Sequence, residues 1–143
     1  MKVNEIMSRG IRSVDVSAKL NVIADKMKNF DIGVLGVYEE GRLVGLVTDR
    51  DVVVRGLAES RNLDLTGAED IMSSNIVYCH EDDDLEQAAQ VMEDKQLHRL
   101  VVVNDSEKPV GILSLGDLAA KAHRDELVGE IVERITEPLA KHS

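Results

Sequence analysis

Apolar residues along this chain follow two rhythms. Leu20, Ile23, Ala24 and Met27 fall at the i, i+3, i+4, i+7 spacing of one helical face, and Leu85, Ala88, Ala89 and Met92 repeat that spacing. Ahead of each predicted helix lies a short alternating segment, "GIRSVDV" or "NIVYCHE", which reads as a strand or extended arm. Ser17 and Asp82 are the expected N-caps. Behind each helix come paired Val-rich runs. "VLGVY" and "LVGLVT" flank a turn at Glu39–Gly41, and "RLVVV" and "PVGILS" flank a turn at Asn104–Lys108, so each pair predicts a β-hairpin. A second helix then starts, in "DRDVVVRGLAE" and in "GDLAAKAH".

The two halves are copies of one another. With Ile6 set on Ile71, "IMSRGI" lies on "IMSSNI", Leu20 on Leu85, Met27 on Met92 and Leu35 on Leu100. One extra residue in the second hairpin turn then brings Gly45 onto Gly111 and Asp51 onto Asp117. The predicted fold is α/β (α+β), made of two β-α-β-β-α repeats and a C-terminal helix. The expected boundaries are 1–60 for the first repeat, 61–123 for linker and second repeat, and 124–143 for the tail. A half of this size buries little core alone, so the repeats are expected to pack about a pseudo-twofold axis. In the tail, Leu127, Val128, Ile131 and Ile135 share a face, expected to pack on the domain or on another subunit, and Pro138 is the expected stop.

Composition narrows the function. The 143 residues carry a net charge of −10 and only 2% aromatics, so neither a basic face nor stacking rings are available for nucleic acid. The polar face of the tail is acidic, which disfavours a membrane surface, and no apolar run has the length of a bilayer span. With no secretory leader in "MKVNEIMSRG", the expected location is the cytoplasm. The single Cys79 reads as a strand or core thiol.

The candidate chemistry lies in a doubled phrase, "GLVTDRD" (Gly45–Asp51) and "GILSLGD" (Gly111–Asp117). The plainest reading is structural: Thr48 and Ser114 are N-caps, with Asp51 and Asp117 completing capping boxes. The functional reading uses the same groups on a ligand. A helix start and a hydroxyl suit a phosphate, a carboxylate suits the paired hydroxyls of a ribose, and Leu46 or Ile112 suits a purine face.

The doubled phrase, in register with the β-α-β-β-α pattern and with "DIM" (Asp70–Met72) and "HRLVVV" (His98–Val103), resembles a tandem pair of cystathionine β-synthase (CBS) domains, a Bateman module. The resemblance implies adenosine-nucleotide clefts that draw on both repeats. The first would combine Leu46, Thr48, Arg50 and Asp51 with Ile76, Val77, His98 and Arg99. The second would combine Ile112, Ser114 and Asp117 with Ile11, Arg12, Gly33 and Val34. "LHRLVVV" is similar to the gamma subunits of AMP-activated kinases, where the His-Arg pair faces phosphates, so the first cleft is expected to be the better phosphate site. In the second, Arg12 either replaces the missing cation in part or only caps a solvent edge. Where many family members have Pro, this chain has Val101 and Gly36, which leaves a backbone N–H in place.

"CHEDDDLE" (Cys79–Glu86) invites a metal, but an acidic first helical turn explains it without one, and no metal site is expected. Thr48 and Asp51 lack an activated base nearby, so a hydrolase using His98 is set aside and no catalytic residues are expected. The expected function is regulatory: AMP, ADP or ATP, and no resident cofactor, shifts the arrangement of the repeats in a homodimer, and a second, regulated protein reads the change as energy sensing. The alternatives are a structural or protein-interaction module with vestigial clefts, and a sensor of S-adenosylmethionine-type ligands.

Overall fold

The computed structural model describes residues 1–121 and 126–140. A 3-10 turn at Val3–Glu5 leads to strand β1 (Ser8–Arg9), β2 (Ser13–Asp15), helix α1 (Leu20–Phe30), β3 (Val34–Glu39) and β4 (Arg42–Thr48). Helix α2 (Asp49–Asp51) runs into a π-helical stretch, Val52–Leu57, and α3 (Ala68–Ile71) follows. The second half contains β5 (Tyr78–His80), α4 (Leu85–Lys95), β6 (Arg99–Val103), β7 (Pro109–Ser114), α5 (Leu115–Lys121) and α6 (Glu126–Ala140). Each repeat therefore runs β-α-β-β-α, as the hydrophobic rhythm predicts.

The chain forms two compact units, Ile11–Ile76 and Met1–Gly10 with Val77–Ser143. They are offset from the repeats: the "NEIMS" segment that opens the chain packs with the second hairpin, and "DIMS" packs with the first. In the unit Ile11–Ile76, a three-stranded sheet of order β2-β3-β4 carries a core of Leu20, Ile23, Met27, Leu35, Val37, Val47, Ala68 and Ile71. β2 joins β3 in parallel, and β3 joins β4 through a two-residue turn at Glu40 (φ 50°) and Gly41 (φ 79°). Positive φ at both central positions is the type I′ geometry whose twist matches a hairpin.

The other unit has a four-stranded sheet of order β1-β7-β6-β5. Its core includes Val3, Ile6, Met7, Leu85, Ala88, Ala89, Met92, Leu100, Leu113 and Leu118. Helix α6 closes that core with Val128, Ile131 and Ile135, all buried, and Arg134 reaches Glu86 at 3.1 Å. Burial of each such aliphatic side chain contributes about 1.5–3 kcal/mol. The tail stripe thus packs on its own unit. The helix runs through Pro138 to Ala140 rather than stopping there, and the side chain of Leu127, like His123 and His142, lies outside what the structure describes.

Several local expectations shift. Helix α1 starts after Lys19, while Ser17 instead closes a turn by donating its N–H and hydroxyl to Asp15 (2.9 and 2.5 Å), which hold that carboxyl below its usual range. Helix α4 is capped by Asp84, not Asp82, and the Asp84 carboxylate accepts from the N–H of Glu86 at 3.2 Å. Both helices end on a left-handed residue, Asp31 (φ 51°) and Gln96 (φ 52°). Ala24 is exposed where its counterpart Ala89 is buried.

The phrase glycines sit where backbone crosses backbone. Leu46 and Ser73 exchange both their N–H···O bonds at 2.9 Å, and Ser8 pairs with Ile112 in the same way in register. A Cβ on Gly45 would stand 2.6 Å from the Met72 sulfur and 2.9 Å from Ser73 O, and one on Gly111 would run into Ser8 O. Replacing Gly111 or Gly45 by alanine is expected to destabilise its unit by about 1–3 kcal/mol in urea titration, since the obstacle is backbone and cannot rotate away. A change below about 0.5 kcal/mol would contradict the close crossing.

Cys79 is the buried strand thiol that the sequence predicts; burial, helped by the charge of Asp83, pushes its pKa up to about 12. Labelling by a thiol reagent should therefore wait on opening of the unit and accelerate with urea. A fast phase in native buffer would rule this out.

His80 Nε2 lies 2.7 Å from Glu107 Oε1 at the surface, and that contact holds the imidazole above its usual 6.5. The contact's contribution is complete below the unfolded-state value and disappears as pH rises through the folded one. Glu107→Gln should bring the NMR titration midpoint of His80 down, and an unchanged midpoint would refute the contact in solution.

Candidate functional site

The two copies of the phrase have the same local geometry, one in each unit. At the end of β4, Thr48 is the N-cap of α2: its Oγ1 accepts from the N–H of Asp51 at 3.1 Å. Asp51 Oδ2 accepts in return from the Thr48 N–H (2.9 Å) and hydroxyl (3.0 Å). Ser114 and Asp117 repeat this after β7, with 3.0 Å in both directions. The capping box is thus real in both copies, and each uses only Oδ2 of the aspartate.

The second carboxylate oxygen distinguishes the copies. Asp51 Oδ1 lies 3.8 Å from Nε of Arg55, one helical turn on, and Arg55 also donates to Met72 O at 3.1 Å. Asp117 Oδ1 instead accepts a hydrogen bond of 2.7 Å from the Ser8 hydroxyl on β1. Sequence reading missed both Ser8 and Arg55. Arg55 was findable by its i, i+4 spacing from Asp51, whereas Ser8 depends on a long-range strand pairing with no sequence signal.

The start of α2 does not offer the open N–H donors that a phosphate seat needs. The N–H of Asp49 donates to Gly33 O (3.0 Å), that of Arg50 to Asp49 Oδ1 (2.8 Å) and that of Asp51 to Thr48. Asp49 and Asp51 also oppose the positive end of the helix. Any phosphate bound near this phrase must be met by side-chain cations.

Leu46, Thr48, Arg50, Asp51 and Ile76 of the first expected set lie in the unit Ile11–Ile76, and Val77, His98 and Arg99 in the other. Ile11, Arg12, Gly33 and Val34 of the second set also lie in Ile11–Ile76, with Ile112, Ser114 and Asp117 in the other. Arg50 and His98 are exposed, and Arg99 is half-buried at the start of β6. Among the described residues no carboxylate pairs with His98, Arg99 or Arg12. Arg12 stacks its guanidinium 3.7 Å over the ring of Phe30, a cation–π contact that no spacing in the chain signals. The N–H groups that a proline would lack are both used: Val101 donates to Val77 O (3.0 Å) and Gly36 to Arg12 O (2.9 Å). They tie each hairpin to its leading segment and are not available to a base.

Among the described residues no cluster of three or more His, Cys, Asp and Glu side chains could hold a metal, and no helix is long and apolar enough to cross a membrane.

Known proteins share this architecture over nearly the whole chain. The CBS domain-containing protein YhcV of Bacillus subtilis (strain 168) is 33% identical over 134 residues, 94% of each chain. Hypoxic response protein 1 of Mycobacterium tuberculosis is 30% identical over 137 residues, 95% of this chain and 94% of its own. A crystal structure of Hypoxic Response Protein I with two coordinated zinc ions superposes with a TM-score of 0.69 over 84% of this chain and 98% of that one. The CBS domain pair of protein MJ0100, in complex with 5′-methylthioadenosine and S-adenosyl-L-methionine, is 26% identical with a TM-score of 0.74, over 86% of this chain and 96% of that one. The CBS domain model matches residues 3–56 and again 68–124, once on each copy of the doubled phrase, and the chain belongs to the CBS domain family.

Proposed function

We propose that this CBS pair is a regulatory module that binds adenine nucleotides, AMP, ADP or ATP, and acts through a partner protein. The observation that carries the reading is the pairing of two features. One is a hydroxyl–carboxylate phrase present twice in the same geometry, in which Asp51 Oδ1 takes no part in the cap and lies 3.8 Å from Arg55 Nε. The other is the His98–Arg99 pair, without an acidic partner among the described residues. A half-buried arginine lacking a carboxylate is a fork suited to a phosphate.

In this reading Leu46 suits the base, Asp51 the ribose hydroxyls, and His98 and Arg99 the phosphate; Thr48, Arg50, Ile76 and Val77 complete the first proposed set. The second set is Ile112, Ser114, Asp117, Ile11, Arg12, Gly33 and Val34. The MJ0100 complex supports an adenosyl ligand for this fold. A homodimer in the cytoplasm is the proposed working form, with no catalytic step.

Titration calorimetry on nucleotide-stripped protein tests the proposal. AMP, ADP or ATP should bind saturably. Arg99→Ala should weaken a phosphorylated nucleotide by about 10-fold or more, as loss of a charge-assisted hydrogen bond does, and adenosine far less. Asp51→Asn should weaken both. Absence of heat and of any thermal shift with all three nucleotides would leave a structural dimer module as the function.

A further inference from the structure

The two copies share a backbone bond whose side chains differ in charge. In one unit the N–H of Asp49 donates to Gly33 O at 3.0 Å, and in the other the N–H of Leu115 donates to His98 O at 2.8 Å. The bond makes Gly33 the structural equivalent of His98, and Asp49 that of Leu115. Where one copy presents His98 and Arg99, the other presents glycine, valine and a carboxylate. Asp49 Oδ2 stands 2.9 Å from the place a Cβ on Gly33 would occupy, so the acid fills the space that the missing side chain leaves. The nearby cation is turned elsewhere, since Arg12 lies over Phe30. Asp49 is exposed at the start of α2, and its Oδ1 already accepts from the N–H of Arg50, so its charge is held in place.

We propose that Asp49 is a specificity-determining residue. At the Gly33 copy it rejects ligands with a 5′-phosphate and admits adenosine compounds whose 5′ substituent is uncharged or cationic. The inference rests on the adenosine-binding reading above and divides the two copies by ligand class. The physical cause is like-charge repulsion between a fixed carboxylate and a phosphate, which falls away for a thioether and reverses for a sulfonium.

The test uses the full chain, stripped of ligand, with AMP and 5′-methylthioadenosine as probes. Wild-type protein should take one AMP per chain tightly. Asp49→Asn, which keeps the acceptor for the Arg50 N–H, should raise AMP affinity at the remaining site by about tenfold and leave 5′-methylthioadenosine within about twofold. Asp49→Leu, which copies the other unit, should do the same and guards against a folding defect peculiar to one variant. Equal effects on both probes, or no effect on AMP, would overturn the role of Asp49. If AMP binding is lost in Arg99→Ala while both Asp49 variants leave the second site unchanged, only this inference fails. If wild-type protein binds neither probe, the adenosine reading falls and this inference falls with it.

Discussion

A close crossing of two backbones organises each unit. The segment Met7–Arg9 runs over Gly111, and Met72–Ser73 runs over Gly45, at separations that leave no room for a Cβ. Only there can Leu46 and Ser73 exchange their two hydrogen bonds. The crossing sets what comes next to the phrase: it brings the Ser8 hydroxyl to Asp117 and the carbonyl of Met72 to Arg55. The glycine that opens the phrase is therefore required by the fold, whatever ligand the phrase serves. It also explains why the compact units do not follow the repeats, because each leading segment finds its glycine in the other copy.

The cap engages one oxygen of each aspartate and leaves the other to a different partner. Oδ2 completes the capping box in both copies, and Oδ1 points to Arg55 in one and to Ser8 in the other. An aspartate fixed by its own helix start is a preorganised acceptor, with little rotamer freedom left to lose when a ligand arrives. The cap reading and the ligand reading of Thr48 and Asp51 are thus compatible, though any substitution at Asp51 acts on stability as well as on binding.

The sequence made some of this legible and hid the rest for physical reasons. Helical spacing from Leu20 and Leu85, the Val-rich hairpins and the doubled phrase all report local periodicity, and their elements form where the pattern places them. The helix starts moved by two residues because Asp15 and Asp84 accept the turn and cap hydrogen bonds assigned to Ser17 and Asp82. Pro138 did not stop α6, even though proline removes one donor. Of the candidate site, the capping geometry of the doubled phrase was legible in the sequence. Ser8 and the Phe30 ring under Arg12 were not, since both depend on contacts that no period in the chain encodes.

The fold constrains the two copies at backbone and core and leaves the polar positions around them free to differ. The bond from the helix-start N–H to the carbonyl before the hairpin holds in both, with Asp49 and Gly33 in one and Leu115 and His98 in the other. A backbone bond is indifferent to the side chains it joins, so histidine can give way to glycine on one side of it and leucine to aspartate on the other without cost to the ladder beside it. The N–H bonds of Val101 to Val77 O and of Gly36 to Arg12 O likewise persist in both copies, with Leu100 and Leu35 filling equivalent core places. One backbone frame thus serves both copies while the charge beside it differs, Asp49 standing where the other copy has Leu115.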